Sequence, residues 1–159
     1  MKKIANLNAA FTPLILALLF MFSACKKDAA NNDNLIGKWQ TIIPLSTQKS
    51  AYEFKSDQSY EHTLYGIDTV TKKDLGILAR ETGKYKRTGA KLVLYDILSY
   101  LSKDGNPAPI DDLKAIEGLK TIDYDIAVTG GNKLILNHQC GINELCTANY
   151  VPPFYYRLQ

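Results

Sequence analysis

The side chains able to do chemistry are few. His62 and His138 are the only histidines, and Cys25, Cys140 and Cys146 the only cysteines, in 159 residues. Each histidine keeps step with apolar neighbours two residues away, His62 with Tyr60 and Leu64, His138 with Leu134 and Leu136. Period-two alternation places such residues on one face of a strand, so both histidines are expected to point inward. If large Tyr60 meets small Gly83 on the neighbouring strand, His62 falls opposite Glu81. An inward His62–Glu81 pair would be a polar handle inside an apolar cup, able to orient a ligand. The plainer alternative is that the two groups satisfy each other or sit at a wet rim.

The remaining candidates are weaker. In an exported chain Cys140 and Cys146 are expected to form a disulfide. The alternative is a zinc site, but zinc wants four ligands and only His138 lies near. Asp123 and Asp125 share a face, yet it is the solvent face, and a glycosidase pair must flank one cleft. Asp104, Asn106, Asp111 and Asp112 depart from the spacing of a calcium loop, so a solvated loop is expected. A glycine-rich phosphate loop, a nucleophile elbow and a histidine–glutamate zinc motif are all missing from the sequence. No catalytic residue, metal or cofactor is therefore expected, and the chain reads as a binding protein, not an enzyme.

The N-terminal stretch assigns a compartment. Lys2 and Lys3 open the chain, and an apolar run from Ala9 to Ala24 follows, broken only by Thr12, Pro13 and Ser23. The run is short for a bilayer span, which needs about 20 residues. It reads as a secretory signal over residues 1–24. Its end, Phe22-Ser23-Ala24-Cys25, resembles a bacterial lipoprotein processing site: a large apolar residue, two small ones, then the cysteine that takes lipid. The resemblance implies lipidation (palmitate among the acyl chains) at Cys25. Several acyl chains, at roughly 0.8 kcal/mol per buried methylene, would hold the protein firmly. Residues 25–34 then form a flexible tether. Lys26 after Cys25, by the same resemblance, points to the outer membrane, with the leaflet open. Without Lys2 and Lys3 the chain carries 17 basic and 16 acidic residues. That near-balance argues against a nucleic-acid binder.

Residues 35–159 carry short alternating runs separated by turn residues, in a composition with ten tyrosines, which favours an all-β domain. Strands are expected at Gly37–Ile43, Ser50–Lys55, Tyr60–Tyr65, Gly76–Arg87, Lys91–Leu98, Ile122–Val128, Leu134–His138 and Phe154–Leu158. Gly66–Asp74 and Ser102–Pro109 read as loops. Asp111–Glu117 reads as one short helix, with acidic residues in its first turn and Gly118 after its end. Eight antiparallel strands closed into an up-and-down barrel leave no edge and enclose room for side chains or one small ligand.

The Gly37-x-Trp39 pair opening the first strand looks like the lipocalin signature. The hairpins around Phe54–Tyr60 and Gly83–Leu94 resemble those of small bacterial lipocalin-like lipoproteins. That resemblance implies a lipocalin or calycin-type barrel over roughly Leu35–Leu158, with Arg157 from the last strand packing on Trp39 to close one end. The family's second motif, Thr-Asp-Tyr, is matched only in composition by Thr121–Tyr124. The leading expectation is a membrane-anchored monomer binding a small hydrophobic or amphipathic ligand, lined by Tyr52, Phe54, Tyr60, His62, Glu81, Tyr85, Tyr124 and Leu136. The alternative is a filled barrel that binds a protein partner, such as a lysozyme or protease to be inhibited, through Gly66–Asp74 or Ser102–Gly118.

Overall fold

The computed structural model describes residues 35–42, 47–138 and 152–159. The signal segment, Cys25 and the tether, and Cys140 and Cys146 lie outside the described residues. The strands are β1 (Gly37–Ile42), β2 (Gln48–Phe54), β3 (Ser59–Ile67), β4 (Asp74–Thr88), β5 (Lys91–Leu101), β6 (Lys114–Ile116), β7 (Thr121–Thr129), β8 (Lys133–His138) and β9 (Phe154–Arg157). All pairings are antiparallel. Each strand neighbours the next except that β5 pairs with β7 past β6, and β1 pairs with β9 through Trp39–Arg157 and Gln40–Tyr156. The result is a closed eight-stranded up-and-down barrel, with three-residue β6 as an addition to β5.

The expected helix at Asp111–Glu117 does not form. Ile110–Asp112 makes a single 3-10 turn and Lys114–Ile116 is a strand. The cause lies in β5, which continues to Leu101 where the sequence suggested an end at Leu98. β7 begins only opposite Tyr95, so the last residues of β5 would present an open edge. Residues 114–116 cover it by pairing with Ser99–Leu101, and an edge amide in need of a partner outweighs a weak local helix signal. The β3–β4 loop is also shorter than expected, because Gly66, Ile67 and Asp74 all lie in strands. Lys49 on β2 holds Asp74 by an ion pair of 2.5 Å.

The end of the barrel bearing the β2–β3, β4–β5 and β7–β8 hairpins is sealed. Trp39 is fully buried and donates its indole N–H to the Leu35 carbonyl at 2.7 Å. The Arg157 guanidinium lies over the indole at 4.3 Å. It also donates to the Ile36 carbonyl at 2.7 Å and to the Gly131 carbonyl at 2.8 Å. Gly37 has φ +129, and a Cβ there would stand 2.9 Å from Arg157 Nη1, so both backbone and space require glycine. Leu35, Phe54, Tyr85, Leu92, Leu94 and Leu134 complete a core in which every one of these residues is at most 3% exposed.

Replacing Arg157 by methionine keeps the packing stem but removes the cation–π contact and two charged hydrogen bonds. A loss of about 2 kcal/mol in urea unfolding is expected, with lysine at that position intermediate. An unchanged midpoint for the methionine variant would show that this seal does not contribute to stability.

Candidate functional site

Inside the barrel the side chains divide into two layers. The lower layer is solid. Phe54 stacks on Tyr52 with ring centroids 5.6 Å apart, meets Tyr85 edge-on at 5.2 Å and tilts against Tyr60 at 6.4 Å. Such pairs add about 0.5–1.5 kcal/mol each beyond area burial. The Tyr85 hydroxyl donates to the Lys55 carbonyl at 2.8 Å. Burial pushes the Tyr85 phenol up, so it stays a neutral donor. Of the eight side chains expected to line a ligand cup, Tyr52, Phe54, Tyr60, Tyr85 and Leu136 are all packed into the buried core. They face neighbouring side chains, not an open space.

The upper layer is a belt of hydrogen-bonding groups toward the opposite end. Register sets it up. Tyr60 stands opposite Gly83, Tyr52 opposite His62, and His62 opposite Glu81. The large-against-small match expected at Gly83 is thus observed, and a Cβ there would come within 2.9 Å of the Tyr60 ring. His62 Nδ1 lies 3.3 Å from Glu81 Oε2, and His62 Nε2 lies 2.8 Å from Ser50 Oγ. The Ser50 hydroxyl lies 3.3 Å from the Tyr155 hydroxyl. The Tyr52 ring stacks on the imidazole, centroids 4.1 Å apart and planes 7° from parallel. The His62 and Glu81 side chains are 22% and 29% exposed, so solvent reaches both.

The directions of these bonds follow from chemistry. An ionised carboxylate can only accept, so a neutral His62 places its proton on Nδ1 toward Glu81. Nε2 is then an acceptor and takes the Ser50 proton. Ser50 in turn can accept from Tyr155. Donation therefore runs from Tyr155 through Ser50 and His62 to Glu81, which only accepts.

On the far wall Tyr124 is half-buried, with its hydroxyl 3.5 Å from that of Tyr52 and its ring edge-on to His138 at 5.7 Å. Burial raises the Tyr52 phenol well above its ordinary value, with Tyr124 and Tyr155 adding to the effect. Burial, aided by Glu81, raises Tyr60 likewise. These phenols are hydrogen-bonding groups and not anions. Tyr60 is 2% exposed, and its hydroxyl makes no hydrogen bond among the described residues. A buried hydroxyl without a partner is uncommon and marks a place where another polar atom would be welcome.

Two further concavities are formed among the described residues. A groove of about 210 Å³ on the outer face of β1 to β3 is lined by Gln40, Ala51, Thr63 and Tyr65 among others. Its charges are mutually engaged: Lys38 with Glu53, Lys49 with Asp74, and Arg80 bidentate to Glu61 at 3.0 and 2.9 Å. The Arg80 hydrogen bond holds the Glu61 carboxyl below its usual range. A shallow depression of about 430 Å³ lies between Asp96–Leu98 and Lys120. Among the described residues no group of three metal-ligating side chains forms.

Ser50 and Tyr155 were not singled out from sequence, although both belong to the belt. Ser50 shares parity with Tyr52 and Phe54, a signal that would have turned it inward. Tyr155 gives little away, because its partners come from strands more than a hundred residues distant. No family model, no curated protein and no solved structure matches this chain significantly.

Tyr60→Phe is expected to leave unfolding stability within about 0.5 kcal/mol of the parent, since no protein partner is lost. Tyr85→Phe should cost about 1 kcal/mol, since the Lys55 carbonyl loses its donor. Equal penalties in denaturant titrations would show that the Tyr60 hydroxyl has a protein partner after all.

Proposed function

We propose that this chain is a lipid-tethered, lipocalin-like binding protein of the cell envelope, and that its ligand is a small amphipathic molecule. The observation that carries the reading is the belt: hydrogen-bonding groups, with His62 and Glu81 partly exposed to solvent, near a buried Tyr60 hydroxyl that has no hydrogen-bond partner among the described residues. The solid lower layer refines it. A long apolar chain has no room at the base, so the ligand is short, with a polar group held by the belt. Binding sites of this kind join apolar walls to a few fixed polar groups. The sequence supports a tether at Cys25, after Ser23 and Ala24 and a short apolar run.

The second reading, a protein-binding barrel, draws support from exposed apolar side chains at Leu98, Leu101, Ile110, Ile116 and Leu119, in and beside the β5–β7 connection.

Two outcomes are expected. Protein isolated without denaturation from its native envelope should carry a small non-covalent adduct in native mass spectrometry. Titration with methyl butyrate should move the NMR signals of His62 and Tyr124, and His62→Leu should weaken binding about tenfold, the scale of one hydrogen bond to a polar ligand. Apo mass together with unmoved signals would remove the small-ligand reading. Separately, Cys25→Ser should transfer the protein from the membrane to the soluble fraction; persistent membrane attachment would refute the tether.

A further inference from the structure

We propose that Ser50, His62 and Glu81 form a hydrolytic triad, and that the barrel cleaves short-chain carboxylic esters. The inference rests on the belt as the ligand-facing part of the molecule and gives its ligand a chemical class. It departs from the expectation of a non-enzyme, which came from motifs contiguous in sequence. A triad is recognised by geometry and roles, not by sequence position. Here the three members come from three adjacent strands, β2, β3 and β4.

Each role has its observation. The nucleophile and base are within hydrogen-bond reach, Ser50 Oγ to His62 Nε2 at 2.8 Å. The base is oriented by a third group, His62 Nδ1 to Glu81 Oε2 at 3.3 Å. That second contact is loose, as such contacts often are before substrate binds. The imidazole cannot swing freely, because the Tyr52 ring lies flat against it at 4.1 Å. The Tyr155 hydroxyl, 3.3 Å from Ser50 Oγ, is a donor beside the carbon under attack and so the candidate to stabilise the oxyanion. The site is reachable, with both the base and its carboxylate partly exposed.

The reaction balances with water as the only co-reactant. Ser50 Oγ bonds to the acyl carbon while its proton passes to His62 Nε2, and the carbonyl electron pair moves onto oxygen. Collapse of the tetrahedral adduct breaks the acyl–alkoxy bond, and the leaving alcohol takes the proton from His62. Water then attacks the acyl-serine, losing its proton to His62. The carboxylic acid leaves and Ser50 regains its hydrogen. Glu81 accepts the Nδ1–H bond throughout and is a positioning residue. Beneath Ser50 the core is filled by Tyr52 and Phe54, so the acyl group must be short.

The test treats the full-length protein with a fluorophosphonate, whose P–F bond breaks as Ser50 Oγ bonds to phosphorus and fluoride leaves. Intact mass and peptide mapping should place one adduct on Ser50 in the wild-type protein, a result that needs no variant to fold. Ser50→Ala should abolish it and Ser56→Ala, on the β2–β3 hairpin, should not. His62→Gln should slow both labelling and p-nitrophenyl acetate turnover by about 10²-fold or more, the usual contribution of a general base. Glu81→Gln should slow turnover and displace the pH profile, which a purely structural role would leave in place. Adducts on other residues, or labelling indifferent to His62→Gln, would overturn the proposal. If methyl butyrate moves the His62 signals while Ser50 stays unlabelled, the triad falls and the binding reading stands. If neither occurs, both fall.

Discussion

A sheet that stops leaves a row of unpaired amides along each edge, and in this chain the two edges are β1 and β9. They meet through only two residue pairs, Trp39–Arg157 and Gln40–Tyr156. So short a seam would be a weak point if backbone hydrogen bonds were all that held it. Arg157 reinforces it from the side-chain layer. One guanidinium covers the indole and ties down carbonyls of Ile36 and Gly131, which belong to the N-terminal approach and the β7–β8 hairpin. The Trp39 N–H, which burial would otherwise leave unsatisfied, is taken up by Leu35. Closure here fixes which face of every other strand turns inward, because each register is inherited from its neighbour.

That inheritance is interrupted once to effect. Thr82 and Lys84 pair with Leu98 and Tyr95, so Asp96 and Ile97 together face Gly83. Asp96 takes φ +53 to make the bulge. Had β5 kept its alternation, Leu98 would have been paired with Glu81 and turned inward with it. With the bulge, buried Ser99 lies opposite Glu81 and the exposed side chain of Leu98 points outward. Gly83 is the other half of the device. The backbone oxygens of Tyr95 and Asp96 and the ring of Tyr60 crowd its missing Cβ, all within 3.1 Å. Tyr60 thus reaches the interior because its partner has no side chain.

Strand faces were legible because they depend on local alternation. Tyr60, His62 and Leu64 needed only their own spacing, and the Tyr60–Gly83 match then placed His62 against Glu81. The barrel closure by Gly37, Trp39 and Arg157 was legible only through the lipocalin resemblance, since no local spacing ties Arg157 to a tryptophan more than a hundred residues earlier. What local pattern could not show was competition between distant segments. Lys114–Ile116 carries a helical composition but is recruited by the free edge of β5, a fact set by where β7 starts. Ser50 escaped notice for a related reason. A serine at the start of a strand reads as a boundary, and only the register of β2 on β3 reveals that it lies diagonally across from His62.

The two layers of the interior also explain why polar groups can gather at mid-barrel without undoing the fold. Buried polar atoms are costly unless paired, and networks left half-satisfied are worse than an apolar core. Below the belt, aromatic and aliphatic side chains exclude water and supply the burial on which stability rests. Within the belt, Tyr155, Ser50, His62 and Glu81 satisfy one another in sequence, so the cost falls mainly on the Tyr60 hydroxyl. Glu81 and His62 remain partly in contact with solvent, which spares the carboxylate a full desolvation penalty. Rigid support from β2, β3 and β4, with the Tyr52 ring against the imidazole, holds the polar groups in place before any ligand arrives. Less ordering is then left for binding to supply, which is the physical meaning of preorganisation.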